Sequence, residues 1–388
     1  MLLAILLGGS SFFWVLQFGL RVWTSLTVAR LKDQTPTTPH TWPALSVIIP
    51  ARNEGDTIEA AVRSLMAQHY SHLQVVLVDD RSTDETAAVM AQLAAADPRI
   101  EIVSVDALPS GWLGKVHALQ RGLEQARGEL LLFTDADTHY APGALEHAVA
   151  VFQQEELVHL TLLPHLQTTG LGQAMMMASF FDGYLERRRG SRLLRLPPRG
   201  PLFGFGAFNL VRRSALEQTS GLPWLKLDVA DDLALARLMR EQGPAGCCVA
   251  HDSLSILYYP SLQECLRGFE RTAFPLIARF SLWRALAYLA AMSWLFCSTT
   301  LLVFLCEPFL SAAVLLPAAV LCCANAVIGK LRLGRTLRGA LLEPLALLFM
   351  AYVLARSTFL GLRHGAVFWR GSSYANEELR AEQRSYYP

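Results

Sequence analysis

Regularly spaced cysteines are missing from this sequence of 388 residues. None of its seven cysteines forms a CxxC pair, and all of them lie in the second half of the chain. Zinc ribbons and secreted disulfide scaffolds depend on such spacing, so neither is indicated. The Walker A pattern GxxxxGK[ST], the zinc-protease pattern HExxH and the serine-hydrolase pattern GxSxG are also absent. These absences argue against the enzyme classes that each pattern marks.

Net charge is also nearly absent, at +1. The middle of the chain has no basic stripe with interleaved aromatic residues, so nucleic-acid binding is not indicated. Apolar residues, by contrast, make up 52% of the sequence, which is high for a wholly soluble protein. The excess lies at the two ends, whereas residues 40–260 show ordinary globular alternation. We therefore expect a water-facing middle domain held between membrane segments.

The N-terminal 20 residues carry no charged side chain and are about as long as the ~20 residues that span a bilayer. Basic residues follow this run and none precedes it, which predicts an uncleaved anchor with the next domain in the cytoplasm. Three further membrane helices are predicted at Ala285–Cys306, Phe309–Ile328 and Gly339–Leu362. The loop between the last two, residues 329–338, is basic, which agrees with the same orientation.

These segments define a predicted domain order. It comprises an anchor (1–22), a linker (23–43), a globular domain (44–258), an interfacial segment (259–284), membrane helices (285–362) and a polar tail (363–388). Counting four crossings places the tail across the membrane from the globular domain. However, Arg356 within the last segment is costly at bilayer depth and favours a re-entrant or interfacial helix. The sequence leaves the side of the tail open.

Strands and helices are predicted to alternate between residues 44 and 135. The predicted strands are 44–50, 73–78, 100–103 and 129–134, and the predicted helices follow capping boxes at 56–59 and 82–85 or cover 116–127. Such alternation predicts an α/β fold with a doubly wound parallel sheet. In that architecture ligands bind beyond the carboxyl ends of the strands.

Acidic residues stand at two of these strand ends. Asp135 and Asp137 leave a buried strand one residue apart, so both can reach one Mg²⁺ or Mn²⁺ ion, which prefers oxygen ligands. Asp79 and Asp80 can accept hydrogen bonds from a base or a ribose. Alternatively, Asp80 or Ser82 caps the next helix.

Two further segments carry residues suited to phosphate or acceptor chemistry. In "PSGWLGKVHAL", Lys115 offers a positive charge to phosphate at the start of a helix. Asp231 and Asp232 begin an amphipathic helix, where negative charge is favourable for electrostatic reasons alone. Either carboxylate could instead act as a general base on an acceptor hydroxyl. Spacing alone leaves both interpretations open.

Six segments, taken together, resemble a family 2 glycosyltransferase of the GT-A fold over about residues 45–250. In order they are "SVIIPARNE", "LVDDRSTDET", "GWLGKVHAL", "LLFTDADT", "GAFNLVRRSAL" and "ADDLALARLMREQG". With the apolar ends and "VFWRGSSY", the chain resembles the hopanoid-biosynthesis-associated group. Met175–Phe208, in which six arginines mix with aromatic residues, resembles a membrane-skimming segment on the acceptor side.

The resemblance implies an inverting transfer from a nucleotide-sugar, typically a UDP-sugar, to a lipid-like acceptor. The enzyme would be a multi-pass protein of the inner membrane with its catalytic domain in the cytoplasm. By analogy, the nucleotide would be bound by Pro50, Arg52, Glu54, Asp79, Asp80, Lys115, Asp135 and Arg271. Asp135 and Asp137 would hold Mg²⁺ or Mn²⁺, and Asp232, preceded by Asp231, would be the catalytic base.

One departure from the family pattern bears on the product. Processive relatives carry QxxRW after the base, whereas here Gly268 replaces the glutamine and Thr272 the tryptophan, with Arg271 kept. We therefore expect a single transfer rather than polymer synthesis. Arg271 could bind the diphosphate or, beside Arg267 and Arg279, lipid headgroups. A processive polysaccharide synthase and an inactive scaffold of the same fold are the alternatives.

Overall fold

The computed structural model describes residues 2–186, 194–196, 202–305 and 308–385, without the side chains of residues 2–8, 10 and 302–314. Met1, Cys306 and the end of the predicted tail therefore lie outside the described residues. So do 187–193 and 197–201, which contain most of the arginines of the predicted acceptor-side segment.

A seven-stranded sheet in the order β3-β2-β1-β4-β8-β6-β9 forms the centre of the globular domain. Its strands are β1 (Leu45–Ala51), β2 (Leu73–Asp80), β3 (Ile100–Val105), β4 (Leu130–Phe133), β6 (His159–Leu163), β8 (Asn209–Arg212) and β9 (Ala245–Val249). Only β8 runs antiparallel to its neighbours; the other pairs are parallel. The predicted mostly parallel α/β sheet is confirmed.

Both faces of this sheet are covered at its centre, which explains why β1, β2 and β4 are buried along almost their whole length. Ile48 packs into one hydrophobic core, whereas Val47 and Ile49 pack into the other. The globular domain contains α2 (Ile58–Met66), α3 (Thr86–Ala96), α4 (Gly114–Gln125), α5 (Ala144–Gln154), α6 (Leu171–Glu186), α7 (Arg213–Leu216) and α8 (Asp231–Arg240). Two minor sheets accompany the central one: β5 (Thr138–Tyr140), β7 (His165–Leu166) and β10 (Leu254–Ile256) form the first, and β11 (Ala366–Trp369) and β12 (Ser372–Ala375) form a hairpin.

The two predicted capping boxes are wrong, because the N-cap residues of α2 and α3, Thr57 and Glu85, form no side-chain cap. Their polar residues instead connect the two loops to each other. The backbone N–H of Asn53 donates to Ser82 Oγ over 3.1 Å, and that of Gly55 donates to Asp84 Oδ2 over 3.1 Å. These bonds fix the loop after β1 against the loop after β2.

The helices outside the globular domain lie close to the predicted membrane segments. They are α1 (Leu2–Thr27), α9 (Leu262–Thr272), α10 (Leu282–Leu305), α11 (Pro308–Leu333), α12 (Leu337–Leu341), α13 (Ala346–His364) and α14 (Asn376–Glu382). Among the described residues, Leu315–Leu333 and Glu343–His364 are long and apolar enough to cross a membrane. A third candidate, Leu262–Ile277 with Leu282–Leu301, is bent by 114°.

Helix α1 extends beyond the predicted anchor and into the segment predicted to be a linker. The chain after it is not free, because Val28, Ala29 and Leu31 are buried against the globular domain. The backbone N–H of Val249 donates to the carbonyl of Ala29 over 2.9 Å. Part of the predicted linker therefore belongs to the packed domain.

The C-terminal tail, whose side of the membrane the sequence leaves open, packs on the globular domain. Arg335, before α13, forms an ion pair with Asp182 of α6. After α13, the hydroxyl of Tyr374 accepts a hydrogen bond from the backbone N–H of Gly114 over 3.3 Å. Arg356, in the middle of α13, pairs with Glu270 of α9. Helix α13 therefore begins and ends beside the globular domain.

Candidate active site

The carboxyl ends of β1, β2 and β4 meet at one edge of the central sheet, because β1 lies between the other two and parallel to both. A cavity of about 220 Å³ opens at this edge, and we call it the polar cavity. Of the predicted nucleotide and metal residues, it is lined by Pro50, Arg52, Glu54, Asp80, Lys115, Asp135, Asp137 and Arg271. Asp79 is not among the lining residues, and its carboxylate accepts a hydrogen bond from the backbone N–H of Ser82 over 3.0 Å.

The turn that carries Asp135 and Asp137 is fixed at both ends. Before it, the hydroxyl of Thr134 donates to the carbonyl of Ala207 over 2.7 Å and accepts from the hydroxyl of Tyr140 over 2.9 Å. After it, the chain enters β5, which pairs with β10 in a second sheet. The turn thus bridges two sheets, which holds both carboxylates at the cavity.

Lys115, at the start of α4, connects the acids of the site. Its ammonium group lies 2.8 Å from Asp135 Oδ1 and 3.5 Å from Asp231 Oδ2. Burial alone would lower the pKa of Lys115, but the carboxylates of Asp135 and Asp231 outweigh it and raise that pKa. The lysine therefore stays charged in the site and is placed to bind an anion.

Asp137 has no lysine or arginine within 4.0 Å among the described residues. Burial, followed by the neighbouring charges of Asp135 and Glu54, raises the pKa of Asp137 to about 7. A divalent cation would relieve this repulsion, so the two carboxylates suit such an ion. No group of three or more His, Cys, Asp or Glu residues that could hold a metal occurs in the described ranges. A cation here would complete its ligands with water and substrate phosphate, as Mg²⁺ usually does.

A second cavity, of about 390 Å³, adjoins the first, and we call it the apolar cavity. The two share a wall composed of Lys115, Asp135, Tyr258, Tyr259, Arg271 and Trp369. Asp231 and Asp232 line the apolar cavity near this wall. Its far side reaches Leu276, Tyr288 of α10 and Met350 of α13.

Asp232, the predicted catalytic base, lies next to Asp231 in the first turn of α8. Burial, followed by the charge of Asp231, raises the pKa of Asp232 to about 7, which is the range that a base needs at neutral pH. Glycine at two positions of the preceding loop brings the acids together. A Cβ atom at Gly204 would collide with the backbone carbonyl of Asp232, and one at Gly206 would collide with the carboxylate of Asp135.

The C-terminal hairpin contributes Trp369, Arg370 and Tyr374 to the polar cavity, which sequence reasoning missed. Arg370 donates to Glu54 Oε1 and to the carbonyl of Arg52, each over 2.8 Å. Arg370 and Gly371 form the two-residue turn of this hairpin, and both have positive φ, 45° and 79°. Gly371 is the local signal of such a turn, but it does not reveal which part of the chain the hairpin contacts.

Comparison with known proteins places these features in context. Residues 46–220 match the family described as Glycosyl transferase family 2. A beta-monoglucosyldiacylglycerol synthase of Nostoc sp. is 29% identical over 228 residues, which are 57% of this chain and 45% of that protein. The synthase of the same name from Synechocystis sp. is 30% identical over 261 residues, 62% of this chain and 51% of that protein. The chain thus matches about half the length of these relatives.

A shorter match comes from Campylobacter jejuni. Its GalNAc(5)-diNAcBac-PP-undecaprenol beta-1,3-glucosyltransferase is 35% identical over 103 residues, 26% of this chain and 32% of that protein. Among solved structures, the mannosyltransferase PcManGT of Pyrobaculum calidifontis, in complex with GDP-Man and Mn²⁺, aligns with a TM-score of 0.54. That alignment covers 90% of this chain and 99% of the other at 19% identity, so it supports a shared GT-A fold.

Proposed function

We propose that this protein transfers a sugar from a nucleotide-sugar to a lipid-like acceptor at a membrane surface, because residues 46–220 match Glycosyl transferase family 2. The proposal includes inversion at the anomeric carbon and a UDP-linked donor, as the family resemblance implies. It also includes a location in the inner membrane, with the globular domain in the cytoplasm.

One observation carries the proposal: an acid-lined polar cavity and an apolar cavity share a wall that contains Lys115 and Asp135. A nucleotide-sugar in the polar cavity would place its diphosphate near Lys115 and its sugar toward the shared wall. An acceptor in the apolar cavity would then approach from the side of Asp232. Donor and acceptor would meet without either passing through the other's cavity.

The chemistry follows from this arrangement. Asp232 would take the proton of the acceptor hydroxyl as the new bond from that oxygen to the anomeric carbon forms. The bond from the anomeric carbon to the diphosphate oxygen breaks in the same displacement, and the nucleoside diphosphate leaves. Lys115, which is preorganised by Asp135 and Asp231, would stabilise the negative charge on the leaving group.

A divalent cation, Mg²⁺ or Mn²⁺, fits the pair Asp135 and Asp137 and would supply Lewis-acid stabilisation of the diphosphate when bound. The surroundings of Asp137 support this assignment, because burial and the neighbouring charges of Asp135 and Glu54 raise its pKa, and a cation would offset those charges. The Mn²⁺ bound to the structurally similar mannosyltransferase is consistent with it.

The position of the apolar cavity favours a lipid-like acceptor. Its far wall is contributed by α10 and α13, and both helices also present large exposed apolar side chains, including Trp283 and Phe359. Exposed apolar surfaces of this kind mark sites of contact with a membrane or another protein. An acceptor could thus reach Asp232 from the bilayer without crossing water. The glucosyldiacylglycerol synthases among the relatives agree with this direction.

The test uses the full-length protein in nanodiscs with Mn²⁺, offered UDP-glucose, UDP-N-acetylglucosamine or GDP-mannose. Diacylglycerol, a hopanoid alcohol and a polyprenyl phosphate serve as acceptors, and mass spectrometry identifies the products. Asp137→Ala should abolish transfer and Mn²⁺-dependent UDP binding. Asp232→Asn should lower transfer by roughly 10²- to 10⁴-fold, the usual contribution of a general base, while UDP binding persists.

Glu217→Gln, which changes an acid whose side chain is 63% exposed, is the matched control and should leave both measurements unchanged. Full turnover by Asp137→Ala would refute the proposed site. Long sugar chains on the product would identify a processive synthase. A wild-type protein that binds none of the nucleotide-sugars would indicate the inactive scaffold.

A further inference from the structure

Arg271 lies in the wall between the two cavities, where two aromatic side chains from other parts of the chain surround it. Its guanidinium carbon is 5.5 Å from the ring centroid of Trp369. It also donates a hydrogen bond to the hydroxyl of Tyr259. Tyr259 fits there because position 268 is glycine, and a Cβ atom at Gly268 would collide with its ring.

The surroundings of Arg271 hold its side chain without neutralising its charge. No carboxylate lies within 4.0 Å of it in the described part of the chain. An indole face attracts a guanidinium through its ring electrons and leaves the N–H edge free to bind an anion. A carboxylate partner would occupy that edge instead.

Trp369 is itself held rigidly. It is the last residue of β11 and pairs with Ser372 across the two-residue turn. The hairpin is fixed to the globular domain on both sides, by the bond between Tyr374 and Gly114 and by the ion pair between Arg370 and Glu54. These contacts fix the backbone that carries the indole beside Arg271.

Building on the transferase function proposed above, we propose that Trp369 is a positioning residue of the active site. Its ring holds the guanidinium of Arg271 toward the diphosphate of the donor and closes the wall between the polar and apolar cavities. The first role affects affinity for the nucleotide. The second keeps water from the anomeric carbon, so that the acceptor hydroxyl and not water receives the sugar.

The experiment compares Trp369→Ala with Phe368→Ala in the full-length protein. Phe368 is the neighbouring aromatic residue of the same strand, is 58% exposed and lines neither cavity. Binding of UDP with Mn²⁺, the KM for nucleotide-sugar, kcat and the ratio of hydrolysis to transfer are measured for each variant. Trp369→Ala should weaken UDP binding and raise KM by about tenfold, the scale of a partly buried cation–π contact, and should increase the hydrolysis ratio. Phe368→Ala should match wild type in all four.

Two further variants separate positioning from folding. Trp369→Phe keeps an aromatic face and should recover most of the affinity, whereas Trp369→Leu fills space without one and should resemble the alanine variant. If Trp369 acts through Arg271, its loss in an Arg271→Ala background should cost no additional UDP affinity. Losses that add in the double variant would overturn the proposal.

Other outcomes distinguish the two levels of inference. If the wild-type protein transfers sugar and Trp369→Ala behaves like Phe368→Ala, the role of Trp369 is refuted and the transferase function stands. If Trp369→Ala fails to fold, Trp369→Leu carries the same comparison. If the wild-type protein neither binds UDP with Mn²⁺ nor turns over donor, both proposals fail together.

Discussion

His159 is a buried histidine that is distant from the proposed chemistry and must stay neutral in the folded protein. It lies in β6, and its Nε2 donates to Asn209 Oδ1 over 3.1 Å. Burial lowers the pKa of His159 to about 4, although the bond to Asn209 opposes the shift. An unfolded chain would bind a proton at the ordinary pKa of about 6.5.

This difference makes the folded state sensitive to acid. Between pH 6.5 and pH 4 the unfolded chain binds more protons at this site, so the free energy of unfolding falls as the pH is lowered. The total decrease in the free energy of unfolding is roughly 3 kcal/mol for a pKa shift of this size. His159→Gln keeps an N–H donor for Asn209 but does not titrate. Thermal unfolding from pH 7 to pH 4.5 should therefore show a smaller decrease for the variant, and equal decreases would contradict this account.

Lys115 shows why single residues of the site were easier to find than their connections. Its position at a helix start after a glycine-rich loop was visible in the sequence, and it does line both cavities. That the same ammonium contacts Asp135 and also lies near Asp231 depends on how α4, β4 and α8 pack. No local pattern encodes that packing.

At the level of secondary-structure elements, the part of the tail that follows α14 forms hydrogen bonds with the loop before α8. Asp228, which is fully buried, accepts hydrogen bonds from Gln383 Nε2 over 2.7 Å, from the backbone N–H of Arg384 over 2.7 Å and from that of Ser385 over 2.8 Å. Residues 229 and 230 then lead directly to Asp231. The tail therefore fixes the loop that positions the candidate base.

Asp228→Asn should test this connection. The amide nitrogen that replaces one carboxylate oxygen is itself a hydrogen-bond donor, so it cannot accept from the N–H groups of residues 383–385. Leaving buried N–H groups without an acceptor costs roughly 1–3 kcal/mol. We expect a lower unfolding temperature, faster proteolysis of the C-terminal segment and reduced sugar transfer. Glu382→Gln, at a half-buried acid beside the same segment, should change stability by at most about 0.5 kcal/mol. Wild-type behaviour of Asp228→Asn would show that the tail is not needed at this loop.

The elements of the sheet were predictable because their information is local. Continuous β-branched and apolar runs such as 45–49 identify buried strands, and acids directly after them identify the ligand-binding edge. The capping-box prediction was wrong because Ser82 and Asp84 accept hydrogen bonds from the backbone of the loop after β1. The local sequence pattern does not show that this loop is a neighbour. Competition between local and long-range hydrogen bonds is not visible in one segment.

The hairpin was missed for a related reason. Tyr374 and Gly114 are 260 residues apart, with the membrane helices between them, so counting apolar segments was the only available guide to the position of the tail. That count treats each long apolar helix as a crossing. Helix α13 is long and apolar enough to be counted, yet the segments on both of its sides contact the globular domain.

For the whole molecule, these contacts determine how the chain is arranged at the membrane. Arg370 binds Glu54, Tyr374 binds Gly114 and Gln383 binds Asp228. All three contacts place residues of the tail on the globular domain, so we predict that the chain between residues 258 and 366 crosses the membrane an even number of times. In the arrangement we propose, α10 crosses outward and α11 returns. Helix α13, about 28 Å long at 1.5 Å per residue, would then lie along the domain at the membrane surface.

This arrangement predicts that the tail and the globular domain lie on the same side of the membrane. The exposure of Arg356, whose side chain is 50% exposed, supports an interfacial α13, because a surface position leaves its ion pair with Glu270 of α9 near water. Green fluorescent protein fused after the last residue should fluoresce in a bacterial host, since it matures only in the cytoplasm. Alkaline phosphatase at the same position should be inactive, whereas fused before α1 it should be active if that helix crosses. Active phosphatase at the C-terminus would mean that the tail leaves the domain, and the hairpin could then not complete the polar cavity.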